Sequence, residues 1–253
     1  MSLPYPAAIA AADAPLAETS PSARGRILAG FSLSVVICGI IAQVFIADGL
    51  VDANDAAKTA ANIIASKSTY RLAFTIFIVE MAAQIATTAM FYDLLKPVNR
   101  SMARLSALMG LVGSGMKMFA RVFYYAPLIL LSGVAYLSVI DPTQLAALSL
   151  VSIKINNQGA AIALVFFGFE TVLQGWLIYR SGFLPRFLGV LSMVGGAGWL
   201  TFLWPPLGSS AFVFVALFAI VGVILTAGWL LVRGVDDVRW RQRATLAASS
   251  IWR

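Results

Sequence analysis

The amino-acid sequence predicts an all-α membrane protein, a polytopic bundle of six transmembrane helices with both termini in the cytoplasm. Of its 253 residues, 60% are hydrophobic and 11% are charged, whereas soluble domains carry roughly a quarter charged residues. The mean hydropathy is +0.87. This balance excludes an ordinary soluble protein, and it also excludes intrinsic disorder, which requires few apolar residues and many charges.

The spans follow from apolar runs that approach or exceed the roughly 20 residues needed to cross the hydrocarbon core as a helix. The predicted spans are residues 27–47, 71–95, 102–125, 159–179, 187–204 and 211–232. Apolar sequence continues past Pro127 to residue 140. These residues reach about 20 Å as a helix, too short for another crossing. We therefore expect residues 127–140 to extend the third helix beyond a kink or to re-enter the membrane.

The distribution of lysine and arginine predicts the orientation. With the N-terminus inside, 12 of the 18 cations fall in inner segments, 4 fall in outer segments, and 2 lie within the third span. Inner segments of membrane proteins are enriched in cations. We therefore expect a multi-pass protein of the bacterial inner (plasma) membrane. Topology accounts for the net charge of +7, so no nucleic-acid partner is needed.

Composition also predicts how the chain is divided. We expect a flexible N-terminal segment at 1–25, a transmembrane domain at 26–235 and a basic interfacial segment at 236–253. The first segment lacks the basic start and apolar core of a cleavable signal peptide. Two further stretches, 55–67 and 143–157, have the composition or spacing of helices lying along the outer interface.

The absence of histidine and the presence of a single cysteine, Cys38, narrow the chemistry. Histidine-dependent hydrolysis, haem or zinc ligation by histidine, disulfides and iron–sulfur clusters are excluded within the chain. The aspartate-rich motif of metal-dependent prenyl transfer is also missing. We expect no cofactor and no metal. The expected partners are membrane lipids, and a hydrophobic small-molecule substrate is compatible with this composition. The oligomeric state is left open.

Four charged residues fall at membrane depth, away from the ends of the predicted spans: Glu80, Lys117, Arg121 and Glu170. Such residues are costly in lipid, so they face the bundle interior and commonly mark a functional site. Their formal charges sum to zero. The alternative interpretation is a structural salt-bridge network that fixes helix register.

The two glutamates share a local pattern. Gln84 follows Glu80 and Gln174 follows Glu170 by four residues, which places each pair on one helix face. At 1.5 Å per residue, the depths of Glu80, Glu170 and Lys117 agree to within about one helical turn. We therefore expect these three side chains to meet.

Further polar residues lie toward the predicted outer mouth, including Tyr124 and Asn157. Tyrosine there also fits an aromatic interface belt, and the run 154–158 either caps the fourth helix or lines an entrance. The candidate acid and base are Glu80 and Glu170. The candidate substrate-binding residues are Gln84, Lys117, Arg121, Gln174, Tyr124 and Asn157.

Three motifs resemble a bacterial family of polytopic membrane proteins of unknown function, generally with six predicted spans. They are residues 55–67 (DAAKTAANIIASK), 94–100 (LLKPVNR) and 177–191 (LIYRSGFLPRFLGVL). The resemblance covers about residues 25–235 and implies fold and membrane location, without a catalytic residue. Many members have a histidine where this chain has Glu170, which implies a tuned or altered site.

Three functions are compatible with these residues. The first is an intramembrane enzyme acting on a lipid-like or isoprenoid substrate by acid–base chemistry, of cyclase or isomerase type. The second is a small proton-coupled transporter or exporter that uses the same glutamates. The third is a non-catalytic membrane partner with structural charges. An enzyme requires an apolar cavity that reaches both glutamates, whereas a transporter requires two access routes, and a structural network requires no cavity.

Overall fold

The structure, a computed structural model, describes residues 20–249. Most of the predicted flexible segment and residues 250–253 of the basic tail lie outside this range. The described part of the chain has an all-α fold, as predicted, and contains no strand. Its helices are α1 (Pro21–Leu50), α2 (Ala56–Ala65), α3 (Lys67–Leu95), α4 (Arg100–Leu130), α5 (Pro142–Ser181), α6 (Arg186–Leu203), α7 (Pro205–Val232) and α8 (Asp237–Ser249).

Five of these helices are long and apolar enough to cross a membrane: α1, α3, α5, α6 and α7. The chain is thus an integral membrane protein built from helices. Helix α4 has 31 residues, about 46 Å at 1.5 Å per residue, so its length also suffices. Its apolar character is reduced by Lys117 and Arg121. The count of six spans therefore stays a prediction.

Polar side chains and one glycine define several helix ends. Asp55 caps α2, Asn99 caps α4 and Asp141 caps α5, each by accepting a hydrogen bond from a backbone N–H of the first turn, as side chains at this position commonly do. Helix α5 ends at Gly182, whose φ of 73° is a left-handed conformation that favours glycine. The predicted helix at 55–67 corresponds to α2.

Of two expectations between the third and fourth spans, one was wrong and the other is confirmed only in part. The stretch 143–157 is not a separate surface helix, because it continues without a break into the span that follows, forming the 40-residue α5. Gly159 allows this continuous helix to pack closely against Ala120 of α4. In addition, α4 passes through Pro127 and ends at Leu130. The expected extension of this helix is therefore confirmed for residues 127–130, whereas residues 131–140 form an irregular loop with one short 3-10 turn and no helical re-entrant segment.

The long helices form a ring in the order α1, α3, α4, α5, α6, α7, and α7 packs back on α1. Glycines allow the closest approaches. A Cβ atom on Gly189 of α6 would lie 2.6 Å from a backbone atom of α5, and one on Gly175 of α5 would lie 2.6 Å from a backbone atom of α6. These contacts hold α5 and α6 backbone to backbone, as small residues do in membrane bundles.

Two hydrophobic clusters fill the two ends of the ring. One lies where α1 begins and where α3, α5 and α7 end, which we call the basic end. This basic-end cluster includes Leu28, Ala29, Leu95, Leu177, Leu188, Ala227, Leu230 and Val235. The second, the aromatic cluster, lies toward the opposite end and comprises Ala42, Ala47, Ile63, Tyr70, Ala73, Phe77, Tyr124, Leu128 and Ile153.

The C-terminal helix α8 packs across the basic end. The indole N–H of Trp240 donates to the carbonyl of Leu94 at 2.9 Å, and the Arg243 guanidinium donates to the carbonyl of Arg180 at 3.1 Å. These carbonyls belong to the last turns of α3 and α5, where carbonyl groups have no N–H donor within their own helix. The Ser22 N–H in turn donates to Asp237. The basic tail therefore ties three helix ends together, and cationic segments predicted for the inner side share this end.

Candidate functional site

A cavity of ≈ 260 Å³ lies inside the ring and reaches the basic-end cluster, since Ala227 and Leu230 line it. All six long helices contribute to its wall, which is mostly apolar. The polar side chains that line it are Ser32, Glu80, Gln84, Thr87, Lys117, Glu170, Thr171, Gln174, Ser192 and Thr226. Five of the eight residues predicted for the site therefore surround one cavity, including both glutamates and both glutamines.

Glu80 of α3 forms a buried ion pair with Lys117 of α4. The Lys117 Nζ to Glu80 Oε1 distance is 2.6 Å, and the side chains are 17% and 4% exposed, respectively. The other carboxylate oxygen of Glu80 is buried and has no hydrogen-bond partner among the described residues. Gly39 of α1 allows close approach, because a Cβ there would lie 3.3 Å from Glu80 Oε1. A π-helical stretch of α1, Ile41–Ala47, begins two residues later, a feature frequent beside functional sites.

Glu170 of α5 is held by neutral groups. Its Oε1 accepts hydrogen bonds from Thr88 Oγ1 at 2.8 Å and from Gln174 Nε2 at 3.0 Å. Ser106 donates from α4 to the backbone carbonyl of Glu170 at 3.1 Å. The carboxyl group lies directly against Gly110 of α4, where a Cβ would overlap it. Glu170 is thus fixed in position by three helices.

The three residues that were expected to meet, Glu80, Lys117 and Glu170, surround one cavity, but the ion pair joins only two of them. All three line the cavity, and the ion pair joins Glu80 to Lys117. Glu170 contacts α4 at Gly110, which lies seven residues before Lys117, about 10 Å along the helix. The two carboxyl groups therefore have different electrostatic surroundings, an arrangement by which paired carboxyls divide acid and base roles.

Arg121 lies one turn beyond Lys117, outside the cavity wall. Its Nη1 donates to Asn156 Oδ1 at 3.1 Å, and its guanidinium carbon lies 3.5 Å from the centroid of the Phe77 ring. Asn156 donates in turn to Asn157 Oδ1 at 2.9 Å. Arg121 is 3% exposed and its Nε has no partner among the described residues. Asn157 therefore belongs to a polar cluster around Arg121 and is absent from the cavity lining.

Tyr124 also lies outside the cavity, in the aromatic cluster. Its ring stacks on that of Tyr70 with centroids 4.4 Å apart, and the Tyr70 hydroxyl donates to the Tyr124 carbonyl at 2.7 Å. Phe77 meets the Tyr124 ring edge-on. Tyr124 is 1% exposed, so it is packed inside the protein, neither at an open mouth nor in an interface belt.

Sequence reasoning missed several residues that shape the site. Thr88 bonds Glu170 and follows Gln84 by four residues, so the helical stripe through Glu80 and Gln84 identifies it. Gly110 lies four residues from both Ser106 and Ser114, a small-residue stripe that predicts a close helix contact, but this spacing does not identify Glu170 as the partner. Among the described residues, no three histidine, cysteine, aspartate or glutamate side chains are grouped to hold a metal ion.

Comparison with known proteins supports the resemblance carried by the motifs. A family model described as "Domain of unknown function (DUF4386)" matches residues 28–234. An uncharacterized protein of Archaeoglobus fulgidus is 26% identical over 162 residues, which cover 64% of this chain and 80% of that relative. No solved structure matches. Since the family model spans most of the chain, the protein belongs to the DUF4386 family.

Proposed function

We propose that the protein is an intramembrane enzyme that acts on a lipid-like or isoprenoid substrate by acid–base chemistry, of cyclase or isomerase type. The observation that supports this proposal best is that Glu80 and Glu170, from two different helices, line one largely apolar cavity. A hydrocarbon chain is compatible with such walls. The two carboxyl groups are the general acid and the general base.

The roles follow from the surroundings of each carboxyl group. Glu80 is a member of an ion pair and is the base, while Glu170, bonded by a hydroxyl and an amide, is the acid. In the reaction, Glu170 gives a proton to one atom of the substrate and Glu80 removes a proton from another. The product is an isomer, so no oxidant or co-reactant is needed. The proton then passes back from Glu80 to Glu170 before the next turnover.

Lys117, Gln84 and Gln174 position the polar part of the substrate. Each lines the cavity within one helical turn of a glutamate or in contact with it. Thr87, whose hydroxyl is buried without a partner among the described residues, adds another group able to bond the substrate. Holding the reacting carbon atoms against both carboxyls supplies the orientation that proton transfer requires.

The test is conversion of isoprenoids by the purified protein. Protein in lipid nanodiscs is incubated with a panel of isoprenoid alcohols and with a bacterial lipid extract, and products are identified by mass spectrometry. We expect Glu80→Gln and Glu170→Gln to lower the rate by about 100-fold or more, the usual contribution of a general acid or base. Asp93→Asn is the matched control, since Asp93 is exposed and paired with Lys96. Wild-type rates in both folded glutamine variants would contradict the proposal.

A second candidate is a proton-coupled transporter. It is favoured by the succession of polar groups that continues from Lys117 through Arg121 to Asn156 and Asn157, away from the cavity. Sealed vesicles with an internal pH dye separate the two functions. A transporter moves protons when a substrate gradient is imposed and leaves the substrate's structure unchanged, whereas an enzyme changes the substrate without a gradient.

The proposal also includes location and topology. We place the protein in the bacterial inner (plasma) membrane with the basic end in the cytoplasm and α4 as the sixth span. Support comes from the shared position of the cationic segments at one end, which α8 holds together. Residues 236–253 then form a basic interfacial segment, and residues 26–235 the transmembrane domain.

A further inference from the structure

We propose that the cavity opens sideways to the lipid phase through a portal between α1 and α7, and that it admits a single-chain amphiphile with an alcohol or amine head group. This inference deepens the proposed function, on which it rests for the chemistry performed. It concerns the route of entry and the class of ligand.

Packed side chains close the cavity at the basic end and, toward the opposite end, on the side of α3 and α4. At the basic end, Leu28, Leu95 and Leu188 are each 1% exposed or less and belong to one cluster. Toward the opposite end, the stacked rings of Tyr70 and Tyr124 fill the space between α3 and α4. A ligand that entered from water at the basic end, or past α3 and α4, would have to open one of these clusters.

Helices α1 and α7 are held together at the basic end. A Cβ on Gly25 of α1 would lie 3.1 Å from Val235 and 3.3 Å from Leu230. Farther along, α1 leans toward α3: Gly39 faces Glu80, and Ala42 joins the aromatic cluster. That cluster contains no residue of α6 or α7 among the described residues.

Helix α7 leans the other way, toward α6. Cβ atoms on Gly222 of α7 and on Gly198 of α6 would lie 3.6 Å from Leu191 and 3.0 Å from Val215, which are contacts between these two helices. Aromatic contacts from Phe212 of α7 to Trp199 and Phe202 at the end of α6 extend the interface between these two helices. Helices α1 and α7 therefore diverge away from the basic end.

The edges of the resulting gap are cavity-lining residues that also reach the surface. Val36 of α1 and Ile220 and Val223 of α7 line the cavity and are only half-buried. Their neighbours Ile37 and Ile224 are 55% and 49% exposed. The side of the bundle at this gap is apolar, so it faces hydrocarbon, and a ligand passing through it comes from the bilayer.

The size of the cavity limits what it holds. A volume of ≈ 260 Å³ accommodates about nine water-sized groups at about 30 Å³ each. This is slightly below the range of pockets that enclose drug-sized ligands. The cavity therefore takes a head group and the first carbons, and the rest of a single chain lies in the portal between α1 and α7.

The charges of the lining select the head group. The cavity wall carries one cation, Lys117, and two carboxyl groups, those of Glu80 and Glu170. Lys117 is already paired with Glu80, and Arg121 is absent from the lining. A phosphate or diphosphate would be buried without a free cation, which is costly. A hydroxyl or amine can bond the carboxyl groups and the two glutamines.

The test is photolabelling with a diazirine-bearing farnesol, an isoprenoid alcohol, in phosphatidylcholine nanodiscs, with labelled residues mapped by mass spectrometry. We expect wild-type labelling around the cavity and at the portal. Val36→Trp and Val223→Trp should each lower cavity labelling by about tenfold, equivalent to about 1.4 kcal/mol of lost binding. The matched controls Ile37→Trp and Ile224→Trp add the same bulk to neighbouring lipid-facing positions and should leave cavity labelling unchanged. The diphosphate of the same probe should label the cavity about tenfold less than the alcohol.

Several results would overturn the inference. These are an unlabelled cavity in the wild-type protein, cavity labelling that survives both portal variants, equal labelling by alcohol and diphosphate, or cross-links showing that a second copy covers the gap. Melting temperatures confirm folding, and Ile220→Phe replaces any tryptophan variant that fails to fold. Labelling needs no turnover. A Glu80→Gln variant that is still labelled and still converts the substrate would therefore contradict the proposed function but not this inference.

Discussion

Replacing Gly110 by alanine adds a single methyl group beside Glu170 and so tests the geometry of the site directly. A Cβ built on Gly110 would overlap the carboxyl group of Glu170, including its Oε2 at 2.6 Å. Real Cβ atoms essentially never approach so closely. Glu170 cannot move without cost, because Thr88 and Gln174 both donate to its Oε1.

The expected loss of stability can be worked from these contacts. Displacing Glu170 breaks two hydrogen bonds, each worth about 0.5–1.5 kcal/mol net and more where a charge is involved. A buried carboxyl group left unsatisfied adds about 1–3 kcal/mol. The alanine offsets about 1 kcal/mol through its better helix propensity. We therefore expect Gly110→Ala to lower the free energy of unfolding by about 1–5 kcal/mol.

The assay is denaturant or thermal unfolding of the purified protein in detergent. Gly115→Ala on the same helix is the matched control, because a Cβ there meets nothing within 4 Å. It should leave stability unchanged or raise it by up to about 1 kcal/mol. In the double variant Gly110→Ala/Glu170→Ala the obstructing side chain is gone, so the two changes should couple by about 1 kcal/mol or more.

Equal stability of Gly110→Ala and Gly115→Ala would refute this reasoning. So would strict additivity in the double variant, since it would mean that α4 and Glu170 are not in contact at this point.

Three further changes probe other parts of the molecule. Lys117→Met should destabilise the protein by about 3–5 kcal/mol because it leaves Glu80 buried and unpaired, and adding Glu80→Gln should recover part of that loss in unfolding measurements. Trp240→Phe removes the indole bond to the end of α3 and should cost about 1 kcal/mol, with faster amide exchange confined to α8 and the basic end. Hydrogen bonds from Thr143 lower the pKa of Asp141 from its usual 3.8, so its cap on α5 is complete above that value and is lost as the pH falls through the lowered pKa. Asp141→Asn, which does not ionise, should abolish this pH dependence in amide exchange of the first turn of α5.

The sequence was informative wherever the answer depended on local spacing. Helical periodicity placed Glu80 with Gln84 and Glu170 with Gln174, and both pairs line the cavity. The same rule extended by one turn reaches Thr88, which bonds Glu170. Membrane location followed from composition alone, because so few charges leave no water-facing surface for a soluble fold.

The errors came from contacts between residues far apart in the chain. A surface helix at 143–157 has the same periodicity as the beginning of a long span, and the close contact of Gly159 with Ala120 is invisible in local sequence. Depth estimates from the sequence placed both Glu80 and Glu170 beside Lys117. In the structure Glu170 lies against Gly110, which is two helical turns from Lys117 on α4. The partners of Arg121 could not be predicted from local spacing either, since Phe77 and Asn156 come from two other helices.

The most direct test of the account is an experimental density map of the protein in lipid nanodiscs soaked with farnesol. We predict ligand density in the cavity, with the hydroxyl against Glu80 or Glu170 and the chain leaving between Val36 and Val223. A map in which α1 and α7 are closed along their length, with the cavity filled by side chains, would contradict it.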